Sequence, residues 1–424
     1  MKKLILFIFP LLLSCSKEAV IPCTTPGCND SIKYNIGKLE IAWSTPLHEN
    51  LKYDFSQTPV IHNNYVVYSK DFSTREKLIF YDRFSGEQLG VWDGQKRNTN
   101  LLTLLTHPEY GIITTNSPEM FSGTSYQTMK TLYEEDTNVE YVRGQPSIIG
   151  NYYYFNTKEA VASQWNALYR INLSTGTKEL IKKINKDEDY KTSNWVDYNK
   201  PVLYDKSGPR LLIYPFFNYE GTNGSFCELK ALDEETAEWR WQTKFTFDRG
   251  GFPLQYLPKI HKDMIIAMSQ DSIFCVSAET GEKRWAIAGI PNQYGVKQWG
   301  PSNSDPYILG DKLYCIHKGV LYCFSADTGE PVFSKSVDEK DGIQASPLSY
   351  FEGVFYFTSL QHVFAVRASD GTLLLKERSH NYGKPLYYSD PQFTDIGVTI
   401  DAENRLMYTS DNFEAICYKI PDFE

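Results

Sequence analysis

Histidines, cysteines and paired carboxylates build most catalytic and metal-binding constellations, and this 424-residue chain carries seven histidines and eight cysteines. His48, His62, His107, His261, His317, His362 and His380 show no H-E-x-x-H, H-x-x-E-H or C-x-x-C-H spacing, and no G-x-S-x-G elbow occurs. They read as loop or surface residues. Cys227, Cys275, Cys315, Cys323 and Cys417 lie in apolar, strand-like runs where a thiol behaves as a small hydrophobe, so none reads as a nucleophile. Asp187-Glu188-Asp189 lacks the spaced oxygens and tight glycine turn of a calcium loop and reads as a solvated acidic loop. These patterns imply no catalytic residue, no metal and no cofactor.

Covalent chemistry is written around Cys15. The chain opens MKKLILFIFPLLLSC, in which Lys2 and Lys3 precede an apolar run from Leu4 to Leu13, half of the ~20 residues needed to span a bilayer. Residues 1–14 read as a signal peptide, and Leu12-Leu13-Ser14-Cys15 resembles the lipobox of bacterial lipoproteins, in which the cysteine becomes the acylated, palmitate-bearing N-terminus. Ser16 stands where an Asp would signal inner-membrane retention in enterobacterial lipoproteins, so the resemblance implies the outer membrane, with the leaflet open. Residues 15–37, with Pro22, Pro26 and Gly27 and no periodicity, read as a lipid-anchored tether. Cys23 and Cys28 lie within it; a small disulfide loop suits an oxidising compartment, and the pair alone is a weak metal signal.

The formal net charge is −9, and loss of Lys2 and Lys3 with the leader makes it two units more negative. An acidic surface argues against a nucleic-acid partner. Aromatic residues make up 15% of the chain, with 30 tyrosines, a composition that favours strands.

A phrase then recurs: INLSTGTKELIK (171–182), VSAETGEKRWAI (276–287) and FSADTGEPVFSK (324–335). Aligned on the turn glycine, the copies fall at Gly86, Gly176, Ala237, Gly281, Gly329 and Gly371, spaced 90, 61, 44, 48 and 42 residues apart; ninety is two periods of about 45, the length of a propeller blade. Leu180, Trp241, Trp285, Phe333 and Leu375 stand four residues beyond the turn position, and Trp92 stands six beyond Gly86. Alternating strands such as IFCVSA and VFAVRA precede the turns, giving units of strands A, B and C, a turn, and strand D. The turn Ala278-Glu279-Thr280-Gly281 suits a type I turn closed by a left-handed glycine.

This pattern resembles the PQQ-like repeat family of quinoprotein-type β-propellers, whose x-D-x-x-T-G-x-x-x-W motif docks each blade's tryptophan against a neighbour. The likeness covers most of residues 38–424, is good at Gly281 and Trp285, and is poor in blade two (roughly 100–140), which has no such glycine. Quinoprotein dehydrogenases of the family carry an adjacent Cys-Cys pair, and no two cysteines adjoin here. In length, anchor and blade number the chain is also similar to BamB-type lipoproteins, which bind protein partners in an outer-membrane barrel-assembly complex.

The end of the chain predicts how the ring closes. Aligning FEAICYK (413–419) with QHVFAVR (361–367) places the next turn near residue 423, so the last blade lacks strand D. KLEIAWSTPL (38–47), carrying Trp43, supplies it. The expected fold is therefore all-β: an eight-bladed propeller of four-stranded blades over residues 38–424, closed by pairing the N-terminal strand with the C-terminal blade.

In such a meander the A–B and C–D turns share one face and the B–C and D–A loops the other. Long B–C loops are expected at 69–77, 116–127, 157–166 and 216–226, and long D–A loops at 184–200, 246–256, 288–304 and 379–393. Loops held on a rigid scaffold carry function, which makes Trp165, Trp195, Phe217, Tyr219, Arg249, Tyr294, Trp299 and Tyr387 the candidate binding face. Each of these could instead merely cap a groove between blades. Three readings follow: a non-enzymatic scaffold for a protein partner at the bacterial outer membrane, a surface glycan-binding lipoprotein, and a quinone-dependent or sugar-active enzyme.

Overall fold

The computed structural model describes residues 39–46, 58–71, 76–93, 103–116, 119–133, 140–159, 165–185, 196–198, 201–206, 208–219, 225–246, 257–268, 272–288, 305–317, 319–337, 345–359, 362–382, 393, 397–411 and 413–423. These form eight antiparallel sheets in a closed ring. In seven blades strands A to D follow one another in the chain; blade five, for example, is Lys259–His261, Met264–Met268, Ser272–Ser277 and Lys283–Ala288. The A strands of neighbouring blades lie side by side, blade eight's Thr399–Asp401 beside blade one's Val60–His62, so they line the centre. Hydroxyls tie them together: Ser147 donates to Pro201 O at 2.8 Å, Ser349 to Val398 O at 2.5 Å, and Thr399 to Pro59 O.

Blade eight closes as its sequence implies. Ile41–Pro46 pairs with Glu414–Lys419, Trp43 opposite Cys417, outside Leu406–Ser410 and Thr399–Asp401. Tyr68 Oη of blade one donates to Thr409 O at 3.1 Å and Tyr408 Oη of blade eight donates to Arg83 O at 3.0 Å, so first and last blades are stitched in both directions.

Middle strands are covered on both faces by adjoining blades and therefore read as apolar runs rather than alternations; every residue of Met264–Met268 and Ser272–Ser277 is buried. Outer strands are wet, as in Pro331–Ser336. Six C–D turns, those of blade one and of blades three to seven, share one geometry. In blade five Gly281 N donates to Ser277 O at 2.9 Å, Ser277 N donates to Glu282 O at 2.8 Å, and Gly281 takes φ +73°. A carboxylate, amide or hydroxyl at the first turn position often caps the backbone, as Asp82 Oδ1 does by accepting from Phe84 N and Ser85 N at 3.0 and 2.8 Å.

The glycine also leaves room for the neighbour. A Cβ would stand 2.5 Å from Trp43 at Gly86, 2.6 Å from Trp241 at Gly281 and 2.7 Å from Trp285 at Gly329. Trp43 and Trp241 donate Nε1 to Arg83 O and Ala278 O at 3.0 and 2.9 Å, and two residues on Thr45 and Thr243 donate to Gly86 O and Gly281 O at 2.8 and 2.5 Å. Phe333 fills this place over Gly371, and the Leu132 carbonyl fills it over Gly176.

Three expectations need correction. Trp92 docks blade one against blade two, but not over a turn glycine. The position that elsewhere lies over that glycine is Gly90, and there the parts are exchanged: a Cβ on Gly90 would collide with the ring of Tyr126, an aromatic side chain supplied by the turn of blade two. Trp92 takes the place held elsewhere by Thr45 and Thr243 and packs against Phe121 at 4.7 Å. That exchange explains why blade two has no turn glycine; its turn is capped instead by Thr128 Oγ1, which accepts from Thr124 N and Ser125 N at 3.0 and 2.9 Å.

Leu180, secondly, does not dock and is 47% exposed. Its partner position holds Ala237, a non-glycine at φ +57°, whose methyl takes the space that a tryptophan would fill. Lys182 still reaches across, donating Nζ to Ala237 O at 2.8 Å.

The third correction concerns the loops of the first half. Segment 116–127 is not a loop: it contains strand C of blade two, Glu119–Gly123, and part of its turn. In blades three and four the described parts of the expected B–C loops, 157–159, 165–166, 216–219 and 225–226, are strand. Asn166 stands opposite Lys158, Tyr219 opposite Ser225, and Glu140 opposite Glu159.

Candidate functional site

One face of the ring is built to a single plan. The A–B turn carbonyl accepts from the backbone N–H just after strand C in each of seven blades, as in Arg83 N to Asn64 O, Ala278 N to Asp263 O and Ile420 N to Arg405 O, at 2.8–3.0 Å. Several charges on this turn face are paired. Lys262 Nζ lies 2.7 Å from Asp327 and 3.1 Å from Asp311, while the buried His261 Nε2 meets Asp327 at 2.9 Å. Hydrogen bonds from Lys262 and then His261 hold the Asp327 carboxyl below its usual range. His261, Asp311 and Asp327 are close enough to share a metal ion, but the Lys262 ammonium supplies the positive charge that the carboxylates need. A cavity of about 500 Å³ opens on the same face between blades six and seven, lined in part by Tyr314, Tyr350, Lys312, Arg367 and Phe423.

The opposite face departs from the plan. Strand B of blade four, Leu211–Tyr219, and strand C, Ser225–Asp233, run nine residues each, against six in Lys312–His317 and Val320–Ser325 of blade six. Three further residues at ~3.3 Å each raise the hairpin by ~10 Å above the disc. Blade three matches it with the ten-residue Glu140–Ile149 and eight-residue Tyr152–Glu159 and Trp165–Asn172. Blade four gains a fifth strand here: Val202–Tyr204 pairs with the lower part of Leu211–Tyr219, and Val196–Tyr198 with Phe216–Asn218 in the raised part. The two blades thus build a promontory on the loop face.

Buried charge lies at both ends of this seam, and at the turn end it crosses from blade three to blade four. Glu234, at the turn end, receives Arg170 Nη1 at 3.0 Å, Arg210 Nη1 at 3.1 Å and the Tyr154 hydroxyl. Under the promontory the buried Lys230 lies 3.6 Å from Glu228 and 5.5 Å from the Trp239 ring. Removing one partner of such a pair would strand the other charge, so the seam resists sliding.

Of the eight candidate binding residues, Trp165, Phe217 and Tyr219 lie at strand positions in the promontory, brought to adjoining blades. Trp195, Arg249, Tyr294, Trp299 and Tyr387 lie outside the described residues, as do Cys15, Cys23 and Cys28. Sequence reading placed Trp165, Phe217 and Tyr219 on the loop face but in loops; the apolar and aromatic run Leu211–Tyr219 was the signal for an extended strand.

A second described part of the loop face lies where blade seven meets blade eight. Asp411 is fully buried and accepts four hydrogen bonds, from Ser379 Oγ, Asn381 Nδ2, Phe413 N and Glu414 N at 2.6–2.9 Å. His380 Nε2 meets Glu414 at 2.7 Å. Burial pushes the Glu414 carboxyl up, but hydrogen bonds from His380, Asn381 and Ser44 outweigh it and hold the group below its usual range. Beside it Arg378 lies 4.1 Å from the ring centre of the exposed Tyr382. The arrangement fastens blade seven, blade eight and the N-terminal strand together. Sequence reading missed it because its members come from three segments far apart in the chain.

The described cysteines fit no adjacent pair. Cys315 and Cys323 stand opposite Tyr322 and Tyr314 on neighbouring strands, and burial pushes the Cys275, Cys315 and Cys417 thiols up to about 12. Those thiols stay protonated at neutral pH.

No protein-family description matches the sequence, and no curated protein matches it. Solved structures do. The chain is similar to BamB from Moraxella catarrhalis, with a TM-score of 0.56 and 11% identity over 90% of this chain and 100% of that one. It is similar to the quinohemoprotein alcohol dehydrogenase from Comamonas testosteroni, with a TM-score of 0.56 and 10% identity over 91% of this chain and 78% of that one. At such identities the likeness is one of fold: the chain is an eight-bladed β-propeller, consistent with a PQQ-like repeat protein.

Proposed function

We propose that this protein is a lipid-anchored scaffold of the bacterial cell envelope, held through Cys15 at the outer membrane, which captures a protein partner on its loop face. The observation that carries the reading is the promontory of blades three and four. It breaks the symmetry of an otherwise repetitive ring and carries the strand positions of Trp165, Phe217 and Tyr219 above the disc. Such a surface suits the aromatic anchors that dominate protein interfaces. The ring spans the whole of BamB, which fits a protein whose work is done by the propeller itself.

The test is proximity crosslinking of the protein in its native membrane, followed by identification of its neighbours and by palmitate labelling of wild type and Cys15→Ala. A recurring protein neighbour lost with Cys15 supports the reading. Normal acylation of Cys15→Ala, or retention of oligosaccharides on a glycan array with no protein neighbour, overturns it. In the second case the promontory is a sugar platform.

A further inference from the structure

The direction of one strand orients the whole ring. Pro46 pairs with Glu414, beside the B–C connection of blade eight, so Ile41–Pro46 runs from the turn face to the loop face. The chain therefore enters the propeller on the turn face. That point is pinned: Lys419 N donates to Glu40 O at 2.9 Å, the Lys419 ammonium meets the Glu40 carboxylate at 2.5 Å, and Leu39 is buried. The last described residues end on the same face, where Asp422 pairs with Arg405 at 2.6 Å and Phe423 lines the cavity beside blade seven.

We infer that the turn face is the one turned toward the anchoring bilayer, and that the promontory is directed away from it, toward a water-exposed protein domain rather than toward lipid. This rests on the proposed lipidation of Cys15. Residues Ser16 to Lys38 separate the proposed anchor from that entry point, and a disc of six-residue strands is ~20 Å thick. To bring the loop face to the membrane, the same segment would first have to climb the outside of the ring. The turn face also tolerates such a position without clinging to it. Its cations are largely engaged within the protein, Lys262 by two aspartates and Arg405 by Glu352 and Asp422, so they are not free to gather anionic lipid.

The experiment uses the full-length, lipidated protein in vesicles carrying an acceptor dye on the lipid headgroups. A donor dye is introduced through an encoded azide at Glu282 or Glu330 on the turn face, or at Asp93 or Arg378 on the loop face. Turn-face donors are expected to be quenched about two-fold more than loop-face donors, given the ~20 Å between the faces. Equal quenching, or stronger quenching from the loop face, overturns the orientation while leaving the anchor intact. A chain that carries no acyl mass and does not float with the vesicles overturns the anchor itself, and the orientation with it.

Discussion

A Cβ placed on Gly281 would stand 2.6 Å from Cε3 of Trp241, so the turn of blade five and the outer strand of blade four fit together only because one side is glycine. Gly281 also lies at φ +73°. Gly310, at φ +60°, has nothing within 4 Å of the place a methyl group would take. Gly281→Ala is expected to lose about 2–4 kcal/mol, from left-handed strain and overpacking together, and Gly310→Ala only about 1 kcal/mol. Chemical denaturation of the two variants checks this; equal losses would mean that the blades are not held by this contact.

Ala237 and Leu180 are the same contact with both parts changed. Restoring only one side should do little, because Ala237→Gly relieves strain but leaves a gap, and Leu180→Trp meets the Ala237 methyl. Together they are expected to be more stable than the sum of the single changes by about 1 kcal/mol, read from a double-mutant cycle. Additivity would show that Leu180 is exposed for another reason.

Much of this was legible in the sequence. The recurring turn glycine, the aromatic residue four positions on and the missing last strand were enough for the ring, its blade number and its closure through Trp43. The exchange at Gly90 and Tyr126 was not legible, because a repeat aligned on one glycine cannot show that glycine and aromatic have traded strands. Nor could it show that Trp92 docks without a turn glycine beneath it. The promontory was half visible: long polar and aromatic segments marked the face, while the pairing of Tyr219 with Ser225 depends on contacts that no local pattern announces.

Trp241 and Trp285 look equivalent in the repeat but differ in place. Trp241 is buried and its indole N–H is bonded to Ala278 O, whereas Trp285 is half-buried and its Nε1 finds no acceptor among the described residues. Trp241→Ala is expected to cost about 3–5 kcal/mol and Trp285→Ala clearly less. Thermal and denaturant melts of both variants test the order; a larger loss for Trp285→Ala would contradict it.

Glu414 gives the fold a defined response to acid. Its carboxyl is held below the usual carboxylate range, so the ionised form favours the folded state. The contribution is fully present above the unfolded value near 4.5 and disappears as pH falls through the lower folded value. The stability difference between wild type and Glu414→Gln is expected to be present above pH 4.5 and to shrink as pH falls below it. A difference that grows as pH falls below 4.5 would mean that the ionised Glu414 carboxylate is not what favours the fold.

The functional account depends on which part of the ring meets the partner, and site-specific photocrosslinking in the native membrane measures that directly. Photoreactive side chains placed at Trp165, Phe217 or Tyr219 in the promontory are expected to capture a protein adduct of one defined mass. The same groups at Glu282 or Glu330 in the turns should capture none of it. Adducts formed from the turn positions and absent from the promontory would contradict the account.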